Sequence, residues 1–133
     1  MSDTGMPTSS GWLLKAQNHL RSAEALSRTQ PPLGENACFH VYHAVTASLR
    51  AFLFLHNITI STEKNLAKIH AYAKHVDSSL SRYDMIVELV DPYKDYVDTI
   101  DTDRSVSHPE MQEAITNARQ VVRFVTGIAE QRG

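Results

Sequence analysis

The chain has 133 residues, 21% of them charged, and a formal charge of −2 with histidine neutral. That length makes one domain with a self-sufficient core the expectation, and the slightly acidic balance excludes the bulk basic charge of a general nucleic-acid binder. A single cysteine excludes an internal disulfide. The polar start and the lack of about 18 unbroken apolar residues argue against a signal peptide or membrane span, so a cytoplasmic protein is expected.

Residues 1–9 read as a flexible tail ahead of one domain over residues 10–133. Ser9 or Ser10 can cap a first helix that runs to about Arg28, with Leu13, Ala16, Leu20 and Ala23 on one face. Pro31, Pro32 and Gly34 break it. A second helix is predicted from Glu35 or Asn36 to about His56. Its apolar residues cover well over half its circumference, from Ala37 and Val41 through Leu49, Phe52 and Leu53. Such a helix is the central post of a bundle. Ile58 to Thr62 is too short to pair as a strand and is expected to tuck Ile58 and Ile60 against the bundle.

A third helix is predicted over about Glu63–Ser79, followed by a helix over Tyr83–Val90 and a kinked continuation capped by Asp91, with Pro92 in its first turn, to about Ile100. A polar loop, Asp101–Ser107, leads to the last helix. Ser107 and Glu110 have capping-box spacing there, and the stripe Met111, Ile115, Ala118, Val122 and Val125 continues to about Glu130. No alternating strand pattern and no glycine-rich phosphate loop is present. The fold expected is all-α, an up-and-down bundle of four long helices plus one or two short ones.

The order of these features resembles the HEPN family of small prokaryotic helical domains. Trp12 sits in the first helix, and Phe39, His40, His43, Ala44, Leu49, Arg50, Ala51, Phe52 and Leu53 follow the register of the family's second helix. Asn65, Leu66 and Ile69 fit the next motif, and Arg104 lies in the polar loop before the last helix. The family's Gln, Glu and Lys in helix two are replaced by His43, Thr46 and Ala47. The resemblance implies a homodimeric bundle that associates with nucleotides or RNA, often beside a nucleotidyltransferase partner in systems of the toxin–antitoxin or stress type. It also implies that some members are metal-independent ribonucleases using an Arg and a His with four to six residues between them.

Arg104 and His108 are the sharpest chemical pair, one residue type suited to phosphate and the other to proton transfer. They are separated by three residues, one fewer than in the family's ribonucleases. Ser107 and the first amides of the last helix offer a weaker, non-catalytic phosphate site. Arg50, midway along the central helix, must reach solvent or a carboxylate, or line a groove that holds phosphate. His40 and His43 have metal-ligand spacing, but no third ligand follows on their helix, and a hydrogen-bonded pair near the core or a dimer seam is expected. His19 and His56 read as surface or helix-end residues, and the aspartates from Asp91 to Asp103 as a solvated face. No metal or cofactor is expected. The leading expectation is a non-catalytic or weakly catalytic module that binds nucleotide or RNA phosphate. A ribonuclease using Arg104 and His108, and a purely structural interaction dimer, are the alternatives.

Overall fold

The computed structural model describes residues 8–58, 60, 63–96 and 106–132. Among them are five α-helices and no strand. Helix α1 (Ser9–Ser27) is capped by Thr8, whose Oγ1 accepts the Gly11 N–H at 2.9 Å. Ser9 and Ser10 already have helical backbone, so the cap falls one residue earlier than the sequence suggests. Fully buried Ala16 and Ala23 leave α1 with little bulk on its inner face, which lets α2 lie close against it.

Helix α2 (Gly34–Leu55) is the post of the bundle. Phe52, Leu49, Leu53, Val41 and Val45 are wholly enclosed. Burial of each such side chain stabilises the fold by about 1.5–3 kcal/mol. By length and composition α2 meets the criterion for a membrane-crossing helix, yet 72% of its apolar window is buried inside the domain. It is a core helix. Its C-terminus closes in a Schellman motif: the Ile58 N–H reaches the Leu53 carbonyl at 2.9 Å and the Asn57 N–H the Phe54 carbonyl at 3.0 Å. Asn57 adopts φ 63°, a left-handed conformation that asparagine tolerates better than most residues. The turn sends the chain back over the end of α2 and packs Ile58 and Ile60 on the core.

The third leg of the bundle is composite. Helix α3 (Leu66–Val76) begins later than Glu63 because the Asn65 side chain caps it, accepting the Lys68 N–H at 3.0 Å. It stops at Asp77, whose extended backbone and carboxylate open a 3-10 turn over Ser78–Tyr83. Helix α4 (Asp84–Val90) follows, then a 3-10 turn over Asp91–Asp95 with Pro92 near its start. Asp91 lies inside this turn and does not cap it; one carboxylate oxygen faces Lys94 at 3.5 Å. The predicted end of this helix near Ile100 and the loop up to Ser105 lie outside the described residues. Two contacts brace the break between α3 and α4: His70 Nε2 to the Leu80 carbonyl and Lys74 Nζ to Asp84, both at 2.9 Å.

Helix α5 (His108–Arg132) starts as predicted, with Ser107 Oγ accepting the Glu110 N–H at 3.2 Å. Arg119 pairs with Glu24 at 2.7 Å, and Gln17 meets Thr126 at 3.5 Å. These contacts set α5 antiparallel to α1. The composite leg returns from the C-terminal end of α2 to its N-terminal end, where Tyr93 donates to Glu110 at 3.2 Å. The result is the up-and-down, all-α bundle expected, with its third leg broken into short pieces.

Candidate functional site

Antiparallel packing of α1 on α2 brings together two stripes with the same spacing. Trp12, Lys15 and His19 stand at i, i+3 and i+7 on α1, and His43, Thr46 and Arg50 do so on α2. With Tyr42, Ala47 and Lys64 they line a cleft of about 350 Å³. That is near the small end of ligand-binding cavities. Among the described residues its wall carries the cations Lys15, Arg50 and Lys64, and neither an aspartate nor a glutamate.

Arg50 is the structural hinge of this wall. Only 8% of it is exposed. Its Nη1 donates to the Ile60 carbonyl at 3.1 Å and its Nη2 to the Glu63 carbonyl. The sequence led us to expect solvent or a carboxylate as its partner. Instead the returning chain after α2 supplies carbonyls, which satisfy the guanidinium without neutralising it. Burial lowers its pKa somewhat, opposed by Tyr42 and Glu63. Arginine still keeps its charge at any ordinary pH. The Glu63 carboxylate itself is engaged by the Asn65 N–H at 3.0 Å. Arg50 and Lys15 both lie over the Trp12 ring, 5.2 and 5.4 Å from its centre. Such cation–π contacts hold the two charges at the cleft. The Trp12 indole N–H is buried without a partner among the described residues, an unspent donor beside these cations.

At one end of the cleft three histidines cluster. His19 Nδ1 and His40 Nδ1 are 2.9 Å apart, a hydrogen bond in which one ring donates to the other. The His43 ring stacks on His19 at 5.0 Å with planes 25° apart, and Phe39 packs edge-on against it at 4.5 Å. His19 is therefore half-buried, not the surface residue expected. Burial is the main cause that lowers its pKa to about 4, helped by His43, His40 and Lys15. His43 is lowered by burial, His40 and Lys15, and His40 by burial. Among the described residues no group of three His, Cys, Asp or Glu side chains is arranged to hold a metal ion. Two of these histidines spend facing nitrogens on each other and the third lies flat, so their lone pairs do not converge.

The other residues singled out from the sequence lie elsewhere. Arg104 falls outside the described residues. Ser107 and His108 are exposed at the head of α5, and the Ser107 hydroxyl is occupied as a helix cap. Val106 sits against Gly34, at the start of α2. Arg50 is more than four turns further along that helix, about 24 Å by helical rise. Arg50 and Ser107 therefore belong to opposite ends of the molecule and do not form one phosphate site. Cys38 is fully enclosed, and burial, reinforced by Glu110, pushes its thiol up to about 12. It is an inert core residue, as expected. Tyr93 and Tyr96 pack edge to face at 5.0 Å, with Tyr93 in the core.

The sequence model of the HEPN domain matches residues 9–128, nearly the whole chain. The chain belongs to the HEPN family. Neither a curated protein nor a solved structure matches it. In this HEPN domain His43 lines the cleft with His19, and His40 joins them by its bond to His19. The sequence signal for that site was the matched i, i+3, i+7 spacing on two successive helices. It becomes visible only once the two helices are known to face each other.

Proposed function

We infer that this HEPN domain is a binding module for a phosphate-bearing ligand, a nucleotide or RNA, held in the cleft between α1 and α2. One observation carries the reading: Lys15, Arg50 and Lys64 line a single concavity whose wall, among the described residues, has no carboxylate. In a partly enclosed space these charges interact with an anion more strongly than they would on an open surface. Arg50 is pinned in place by backbone carbonyls and by Trp12, so little ordering is left to be done when a ligand arrives. Family membership supports a homodimer and a nucleotidyltransferase partner as the setting in which the module works.

Calorimetric titration of the whole chain at low salt, with mononucleotides and a short RNA, tests this reading. Binding that weakens about tenfold in Lys15→Met or Lys64→Met supports it, since loss of one phosphate contact costs on the order of 1.4 kcal/mol. Binding that ignores both substitutions removes the cleft as the site. Light scattering of the purified chain, alone and with a co-expressed nucleotidyltransferase, checks the assembly.

A further inference from the structure

Resting on the cleft reading above, we propose that the occupant is the dianionic phosphomonoester of a single nucleotide, and that the cluster of His19, His40 and His43 takes up one proton as it binds. The cleft's volume, about 350 Å³, accommodates one nucleotide unit rather than a run of strand. A phosphomonoester carries about −1.5 to −2 charges near neutral pH, whereas an internal phosphodiester carries one. Lys15, Arg50 and Lys64 supply three positive charges in the wall, and His19 and His43 line it beside them. The higher charge is the better match to that inventory.

The geometry of the cluster sets its capacity. The His19 and His40 Nδ1 atoms are 2.9 Å apart. One ring can carry protons on both nitrogens and still donate through Nδ1 to the other. Two such rings would turn N–H against N–H, so this pair accepts one additional proton and no more. His43, stacked 5.0 Å from His19, is discouraged from charging once its neighbour has done so. The groups around the cluster explain why it is neutral when the cleft holds no anion. Lys15 on α1 and the histidines themselves oppose a further charge, Phe39 offers only its ring, and Tyr42 lies beside His43 on α2. Farther off, Arg50 and Lys64 add positive charge along the wall. The carboxylate one and a half turns along α1, Glu24, is held by Arg119 of α5. An anion in the cleft reverses this balance by placing negative charge against His19 and His43. Binding near neutral pH therefore draws a proton onto the cluster, and affinity rises as pH falls toward the range where the phosphate itself protonates, near pH 6.

The test is calorimetry of the full chain at pH 7.0 and low salt, in two buffers of different ionisation heat. The titrants are 5′-AMP, the dinucleoside monophosphate ApA, adenosine and a 5′-phosphorylated hexaribonucleotide. The expected result is binding of 5′-AMP with uptake of up to about one proton, ApA weaker by about tenfold or more, and no heat from adenosine. The hexamer should bind no tighter than 5′-AMP. In the double variant His19→Gln/His43→Gln the uptake should vanish, the phosphate's own titration being common to both proteins. Equal affinity for ApA and 5′-AMP overturns the monoester assignment. A hexamer about tenfold tighter than 5′-AMP makes a strand the occupant and overturns the single nucleotide. Equal proton uptake in wild type and variant overturns the proton step, while the cleft reading stands. No binding by any phosphate removes both. Should the variant fail to fold by circular dichroism, the histidine ring protons of the wild type are titrated by NMR with and without 5′-AMP. A cluster pKa that the nucleotide raises by about three units, from about 4 into the neutral range, supports the proton step, and a smaller rise, which would leave the cluster neutral at pH 7, refutes it.

Discussion

The cleft between α1 and α2 and the head of α5 both carry histidine: His19 and His43 line the first, and His108 begins the second. At the cleft, Arg50 is nearly buried, bonded to two carbonyls and stacked on Trp12, and the histidines are locked to one another. At the head of α5, Ser107 and His108 are exposed, and the only role the structure gives Ser107 is to cap the helix. Each place has a histidine, but the surroundings differ. Low dielectric and fixed geometry turn charges into a site, whereas solvent screens a charge at an exposed helix end.

Substitutions can break this comparison or sharpen it. The largest effect is expected from Arg50→Ala, which strands the Ile60 and Glu63 carbonyls and removes the stack on Trp12. A loss of about 3 kcal/mol in urea unfolding is expected, since hydrogen bonds to charged groups contribute about 1.5–3 kcal/mol each. A loss below about 0.5 kcal/mol would mean that Arg50 is not a fixed part of the wall. Next, Lys15→Met should weaken nucleotide binding about tenfold while leaving stability within about 0.5 kcal/mol, because Lys15 is exposed and serves the cleft alone. At the other end of the molecule, Ser107→Ala removes a helix cap and should cost about 1 kcal/mol without touching nucleotide affinity. If affinity fell instead, the head of α5 would be the binding site.

A pH titration separates the two regions further. His19 has a pKa of about 4 in the folded chain, against about 6.5 when unfolded. The unfolded chain therefore binds the proton first as pH falls. The stability tied to neutral His19 is complete above pH 6.5 and is lost between there and about pH 4. The melting temperature should drop by a few degrees from pH 7 to pH 5, and His19→Gln should flatten that drop. The smallest effect is expected from His108→Ala: unfolding and nucleotide affinity should both match wild type. A change in either would give the α5 head a role that its exposure does not suggest.

Much of the fold was legible from the sequence. The breadth of the apolar face from Ala37 to Leu53 identified the central post, and that segment is indeed enclosed on most sides. Ser107 with Glu110 located the last helix to the residue. The third leg was read as longer helices than it has, because its apolar spacing continues through Asp77 while the Asp77 side chain diverts the backbone into a 3-10 turn. The site was less legible. Arg50 was recognised as a residue that burial would force into a partnership, but its partners are main-chain carbonyls, which no sequence pattern marks. His19 looked like surface because its own helix gives it polar neighbours; its burial comes from α2.

Periodicity and capping chemistry, which are local, were enough to determine an all-helical bundle with α2 at its centre and the start of α5 at Ser107. Which polar residues share a space is not local. It depends on α1 lying antiparallel to α2 and on the chain doubling back after Asn57, and those tertiary arrangements alone placed Trp12, Lys15, His19, His43, Arg50 and Lys64 around one cleft.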